Sequence, residues 1–369
     1  MRIVVHLGMH KTGSSTIQEY LYRTPVPGAV YARSSSPNHS SLFVLLFDDP
    51  ENLPKYHGFR ARGPDFVADL PAQRRKARAA LEAQLDALAG TDCTLIFSGE
   101  DISSPRFGAA RARMHAFFRR WSDDLSAIAY VRSPLSYCVS AFQQQLKGAH
   151  PVDPGFARAW PRYRGRFEQI DSLFGRENVQ LRRFAPEALK GGDVLEDFAD
   201  RLGLSLPPRT APLRVNESLG LEATALLYVQ RRLGRKLAGA PPGPQRVNPA
   251  FVELLRGVGR RRFTFAPAVW DEVVAANRAD LDWMERRLGE PLQDAVPEDA
   301  VPVSGEEELF AIAAEHAPEI ARLLRAQLDM SPEDPLERTV QLLDSLHVLS
   351  GAGTGALPAA AVRARQGRR

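Results

Sequence analysis

The residues with the most evident chemistry are Gly8-Met9-His10-Lys11-Thr12-Gly13-Ser14-Ser15-Thr16, placed between an apolar run at 2–8 and an amphipathic stretch at 14–23. A glycine-containing turn at such a place aims backbone N–H groups at a bound anion, and the helix that follows adds its favourable dipole. Lys11 supplies a compact positive charge, His10 flanks it, and Ser14, Ser15 and Thr16 offer hydroxyls and helix caps. The chemistry is a grip on a phosphate or a sulfate. The spelling is not the triphosphate loop G-x-x-x-x-G-K-[ST], in which the lysine follows the last glycine and the next hydroxyl holds magnesium. Here Lys11 precedes Gly13 by two residues. That order puts the charge on the near side of the turn and suits a terminal anion without an obligatory metal.

A second constellation is Tyr130-Val131-Arg132-Ser133-Pro134-Leu135-Ser136-Tyr137-Cys138-Val139-Ser140. Arg132 follows the apolar run 128–131, so it stands at a strand's carboxyl end, and Pro134 suits a first helical turn. At 100° per residue, Leu135, Val139, Phe142 and Leu146 share one helix face, and Ser136, Ser140 and Lys147 fall on the other. Arg132 and Ser140 are thus placed to converge on one anion, the arginine by a forked contact. A third strand end, Thr94-Leu95-Ile96-Phe97, runs into Ser98-Gly99-Glu100-Asp101 and sets two carboxylates by the same cleft. His39, in Pro37-Asn38-His39-Ser40-Ser41-Leu42, is a further titratable candidate.

These residues need a scaffold that gathers strand ends. The periodicity predicts strands at 2–8, 93–98, 126–131 and 178–183, alternating with helices at 14–23, 72–89, 109–121, 134–147, 163–174 and 192–203. Residues 24–70 read as loop apart from the apolar run 42–47. Such alternation implies an α/β fold with a mostly parallel sheet covered on both faces, whose ligands bind beyond the strands' carboxyl ends. Beyond about residue 204 the strand signal fades. Helices are predicted at 217–237, 268–288, 305–328 and 333–349. The expected organisation is a core over 1–220, a helical extension over 221–350 and a small, basic, disordered tail over 351–369.

Lys-Thr-Gly-Ser-Ser-Thr after a strand resembles the 5′-phosphosulfate loop of sulfotransferases that use 3′-phosphoadenosine 5′-phosphosulfate, and Gly-Met-His-Lys-Thr-Gly is similar to bacterial, carbohydrate-modifying members. The family's second motif, an Arg ending a strand and a Ser eight positions on, is matched by Arg132 and Ser140. The resemblance implies a P-loop-like three-layer core and donor binding by His10, Lys11, Thr12, Gly13, Ser14, Ser15, Thr16, Arg132 and Ser140, with the last two on the 3′-phosphate. It implies sulfuryl transfer to a hydroxyl or amine of an acceptor, a glycan or glycolipid, with Lys11 stabilising charge on the bridging oxygen and no metal. Some members use Glu and others His as base, so Glu100, with Asp101 beside it, and His39 are the two candidates. The resemblance is specific over roughly 9–16 and 130–140. Asn216 and Ser218, in Arg214-Val215-Asn216-Glu217-Ser218, resemble a segment of bacterial relatives but read rather as a helix cap, and the four Trp, at 121, 160, 270 and 283, read as packing residues, with Trp160 also a candidate for an acceptor cleft.

The composition is that of an ordinary globular chain: 369 residues, 44% hydrophobic and 25% charged. Cys93 and Cys138 are the only cysteines, too few for a disulfide scaffold or a cysteine zinc site. All but six of the 48 basic residues are arginine, and the net charge is +4. No aromatic-basic motif accompanies that charge, so nucleic acid is not an expected partner. With no apolar run of about 18 residues and no leader, a cytoplasmic protein is expected. The rival readings are a nucleotide-dependent kinase or ATPase, with Glu100 and Asp101 imitating a metal-binding strand end, and a non-catalytic nucleotide-binding scaffold.

Overall fold

The computed structural model describes residues 1–9, 11–148, 159–208, 218–234, 248–293, 296–324 and 334–351. They form two compact units whose segments interleave along the chain. The first comprises 1–134, 161–216 and 277–293, and the second 135–160, 217–276 and 294–369.

The first unit is α/β. Its sheet contains β1 (Arg2–Leu7), β2 (Ala29–Tyr31), β3 (Thr94–Gly99), β4 (Leu125–Val131) and β5 (Val179–Arg183) in the order β2-β3-β1-β4-β5. Every neighbouring pair is parallel, with His6 opposite Ser98 and Ile128. The central strands read as near-continuous apolar runs because both of their faces are buried. On one face Val4, Ile96 and Ile128 pack with Ile17 and Leu21 of the helix Ser14–Arg23 and with Leu195 and Phe198 of the helix Val194–Leu202. On the other, Phe97 meets Phe118 of the helix Gly108–Phe118, and the helices Ser40–Phe47 and Tyr163–Phe174 lie against β3, β4 and β5. From β1 the chain departs toward β2, and from β4 toward β5, in opposite directions across the sheet. The carboxyl ends of β1 and β4 therefore flank the point where the strand order reverses, which is where an open parallel sheet leaves a crevice.

The second unit is built around the helices Leu135–Lys147 (the continuation of the helix Pro134–Lys147), Leu221–Leu233, Glu306–Glu315 and Pro335–Gly351. Its core joins Phe142, Leu146, Leu226, Leu227, Phe251, Leu309, Ile320, Leu343 and Leu346. It also holds a parallel pair of strands, β6 (Arg262–Phe265) and β7 (Ala300–Val303).

The structure departs from expectation at identifiable places. The run 42–47 is a buried helix, Ser40–Phe47, since an uninterrupted apolar run has no period to read. β2 is three residues long, and β6 and β7 four each, too short to carry a pattern. The stretch 268–288 is two helices, Pro267–Ala276 and Arg278–Leu288, broken where Asn277 leaves helical geometry at φ −120°. In the same way His316 separates Glu306–Glu315 from Ala317–Leu324. The helix Pro249–Arg256, with Asn248 capping it through Phe251 N, lies where no element is predicted. The units divide at 216/217, close to the expected 220, but the helix after Pro134 clusters with the second unit, and 277–293 with the first. The expected tail falls on 352–369, outside the described residues.

Phe142 is 1% exposed, with its ring 5.6 Å from Phe263 and 5.9 Å from Tyr228. Phe142→Ala is expected to cost about 3–5 kcal/mol through lost burial and a residual cavity, read as a lowered midpoint in urea unfolding.

Candidate functional site

The turn after β1 is held in an unusual backbone conformation. Lys11 has φ 67° and Gly13 φ 74°, both left-handed. For glycine this costs nothing, but for lysine it costs about 1–2 kcal/mol, and such residues collect at ligand sites. Thr12 is fully buried, and its hydroxyl donates to the Met9 carbonyl at 2.6 Å. It braces the turn, and its side chain is spent on that bond. Gly13 is the helix cap, and no side chain caps the first turn of the helix Ser14–Arg23, so Ser14, Ser15 and Thr16 do not serve as the expected caps. The Thr16 and Ile17 amides turn back to the Gly13 carbonyl, which leaves the first helical amides facing outward. Ser14 is buried and Ser15 exposed.

Arg132, just past β4, donates from Nη1 to the Lys11 carbonyl at 2.7 Å. Its own carbonyl accepts from the Tyr163 hydroxyl at 2.6 Å. The two cationic residues singled out in the sequence are thereby fixed to one another across the crevice between β1 and β4. Glu100 follows β3 and packs over Gly8: a Cβ at Gly8 would lie 2.8 Å from Glu100 Cγ and 2.9 Å from Ser14 Oγ. Burial lowers the Lys11 ammonium below its ordinary value. The Glu100 carboxylate opposes that shift, and the Arg132 charge adds to it. Lys11, Glu100 and Arg132 thus act on one another electrostatically at three neighbouring strand ends.

Asp101 is tethered: its amide donates to Ser40 Oγ at 3.1 Å, and its carboxylate accepts from the Tyr56 hydroxyl at 2.7 Å. Burial and the Asp101 charge push the Tyr56 phenol upward. Ser103 Oγ donates to the Gly8 carbonyl at 2.7 Å and ties the end of β1 to the turn after β3.

His39 is placed as a supporting residue, contrary to its expected candidacy as a base. It is fully buried, stacked between Tyr31 and Phe97 at 4.6 and 4.7 Å. Its Nδ1 accepts from the Ser98 amide and its Nε2 donates to the Ala32 carbonyl, each at 2.9 Å. With both nitrogens committed, the ring has no lone pair to offer a substrate proton. Burial holds it neutral, with its pKa lowered to about 4.

Ser140 stands half-buried on the helix Pro134–Lys147, within the second unit. Trp160 is half-buried and packs against the second unit's core, stacked 6.2 Å from Trp270, as a packing residue would. His10 and Asn216 lie outside the described residues, and Ser218 is exposed.

Sequence reasoning passed over His6, Gln18 and Ser98. His6 Nδ1 lies 2.8 Å from Ser98 Oγ, to which Gln18 Nε2 donates at 3.1 Å. His6 is fully buried, its pKa is pushed down to about 4 by that burial, and its Nε2 has no hydrogen-bond partner among the described residues. The available signal was a lone polar residue near the end of each of two apolar strands that turn into site loops.

Among the described residues, no group of three or more His, Cys, Asp or Glu side chains could hold a metal ion, and no helix is long and apolar enough to cross a membrane. Compared with models of known families and with curated proteins, the chain finds no match.

Both buried histidines take up protons less readily folded than unfolded. Between pH 6.5 and 4 the unfolded chain binds the extra protons, so stability falls as pH drops through that window and levels off below it. By pH 5 the loss is on the order of 2 kcal/mol for each histidine. Urea midpoints at pH 7 and pH 5 measure it, and His39→Gln, which cannot protonate there, is expected to remove the His39 share. Lys11→Gly, which relieves the left-handed strain, is expected to unfold about 1 kcal/mol later than Lys11→Ala. Equal stability of the two variants would place Lys11 in ordinary backbone geometry.

Proposed function

We propose that this chain is a sulfotransferase that takes 3′-phosphoadenosine 5′-phosphosulfate as donor and transfers to a hydroxyl or amine of an acceptor, a glycan or glycolipid. The observation that carries the reading is the Arg132–Lys11 bond. It joins the two motifs that resemble the donor loops of that family at the reversal point of a parallel sheet. The reading includes a P-loop-like core and a C-terminal helical extension over 221–350.

The local chemistry fits an anionic donor. A left-handed turn, uncapped first-turn amides, a lysine and an arginine converge, and the lysine precedes the glycine, unlike the magnesium-dependent triphosphate loop. Bound there, the donor supplies an SO₃ group that leaves the bridging phosphate oxygen for the acceptor oxygen or nitrogen. Lys11 offsets the charge that the bridging oxygen gains as it keeps the bonding electron pair. Arg132 grips the 3′-phosphate. Glu100, half-buried beside Gly8, accepts the acceptor's proton as the new bond to sulfur forms. Asp101, held by Tyr56 and Ser40, fixes the turn that carries Glu100. The acceptor class rests on the resemblance.

Calorimetric titration is expected to give tighter binding of 3′,5′-adenosine bisphosphate than of ATP with magnesium; the reverse order would make the chain a kinase or ATPase. Lys11→Ala is expected to lower donor turnover by roughly a hundredfold or more. Arg132→Ala is expected to raise the donor KM more than it changes kcat. Glu100→Gln is expected to lower kcat by about 10²–10⁴ in labelled-sulfate transfer to an extracted glycan pool, and near-full activity would remove Glu100 as base. Tight bisphosphate binding without transfer to any acceptor would favour a non-catalytic scaffold.

A further inference from the structure

The loop after β2 closes over a cavity of about 300 Å³ that shares no lining residue with the Lys11 turn or with Arg132. Its walls come from the segment 33–38, the helix Ser40–Phe47, the short helices His57–Arg60 and Pro64–Ala68, and the helix Leu70–Leu88. The apolar part is Leu42, Leu45, Phe59, Phe66 and Leu81, with the Phe59 and Phe66 rings 5.8 Å apart. The polar part is one-signed. Arg33, Arg62 and Lys76 line the cavity, and no Asp or Glu is among its described lining residues. Among the described residues none of the three cations is engaged in an ion pair, although ion pairs are common elsewhere on the chain. Arg62 instead lies over the Phe66 ring, 3.9 Å from its centroid, which holds its charge at the edge of the apolar surface.

The rim is also built in advance. Ser34 Oγ donates to the Ser36 carbonyl at 2.7 Å and accepts from its amide at 3.1 Å, and Asn38 Oδ1 accepts from the Ser40 amide at 2.9 Å. Gln84 clips the Arg33 backbone at both its amide and its carbonyl. A ligand meeting this rim loses little to ordering it.

We propose that this cavity binds a small amphipathic anion: an aryl or acyl body against the Phe59–Phe66–Leu45 wall, and a single carboxylate, sulfate or phosphate head at Arg33, Arg62 and Lys76. An apolar wall alone would accept a neutral body equally well. Three unpaired cations with no opposing carboxylate make an anionic head the distinguishing feature. The cavity adjoins the end of β3, because Ser41 lines it and the neighbouring Ser40 Oγ accepts from the Asp101 amide at 3.1 Å. The inference does not depend on the donor reading, since it uses none of the donor residues.

Isothermal titration of the full chain with 2-naphthyl sulfate, 2-naphthoate and 2-naphthol tests it. Both anions are expected to bind roughly tenfold or more tightly than the neutral alcohol, and more weakly as salt is raised. Arg62→Glu and Lys76→Glu, both at exposed positions that leave the fold intact, are each expected to weaken the anions by roughly tenfold and leave the alcohol unchanged. Arg286→Glu, in a different groove, is expected to change none of the three. Equal binding of anion and alcohol, or undiminished anion binding in both reversal variants, would overturn the proposal. Titration of the same variants with 3′,5′-adenosine bisphosphate reads the donor site separately, so failure of one site is distinguishable from failure of the other.

Discussion

A single hydrogen bond, from the Arg132 guanidinium to the carbonyl of Lys11, sets what the site is able to do. A lysine does not settle in left-handed geometry unaided, and a solvated arginine does not keep one position past a strand end. Each supplies the other's constraint. Lys11 turns its carbonyl toward β4 because its φ is positive, and Arg132 holds that carbonyl because its own backbone is fastened to Tyr163. The parallel register of β1 with β4 makes the meeting possible, since it brings two carboxyl ends to the same edge.

Beneath that edge lies a layer of buried polar side chains that perform no chemistry themselves. His39 spans from the β3 backbone to the segment after β2. His6, Ser98 and Gln18 join β1, β3 and the first helix, and Ser103 fastens Gly8. These bonds hold the turn, Glu100 and Asp101 in relation to each other. Their cost is desolvation, expressed in the two histidines that stay neutral far below their ordinary range. Rigid support of this kind is what a site needs when it must meet a charged group without rearranging.

Much of the first unit was legible in the sequence. The helices at 14–23 and 163–174 carry strong periodicity and match their predicted ends, as does the helix at 134–147, most of which clusters with the second unit. The central strands are continuous apolar runs, and the residues just past them are the ones the fold gathers. What was illegible has specific causes. β2 is an edge strand of three residues, and its pairing with β3 is a long-range event that leaves no local mark. The role of His39 turned on its burial between two rings, and a loop histidine that reads as exposed looks the same in sequence. The hydroxyls of Ser14, Ser15 and Thr16 looked like caps, yet the αL turn at Gly13 ends the loop without them. The division into units depends on which core each amphipathic face meets, so the helix after Pro134 and the segment 277–293 changed sides.

The most direct test of the account is a crystal structure of the full chain with 3′,5′-adenosine bisphosphate. The account places one phosphate on the turn at Lys11–Thr16 and the other within reach of the Arg132 guanidinium, with the Lys11 carbonyl still bonded to Arg132. Adenosine bound away from the carboxyl ends of β1 and β4, or a turn that opens and releases Arg132 when the nucleotide binds, would contradict it.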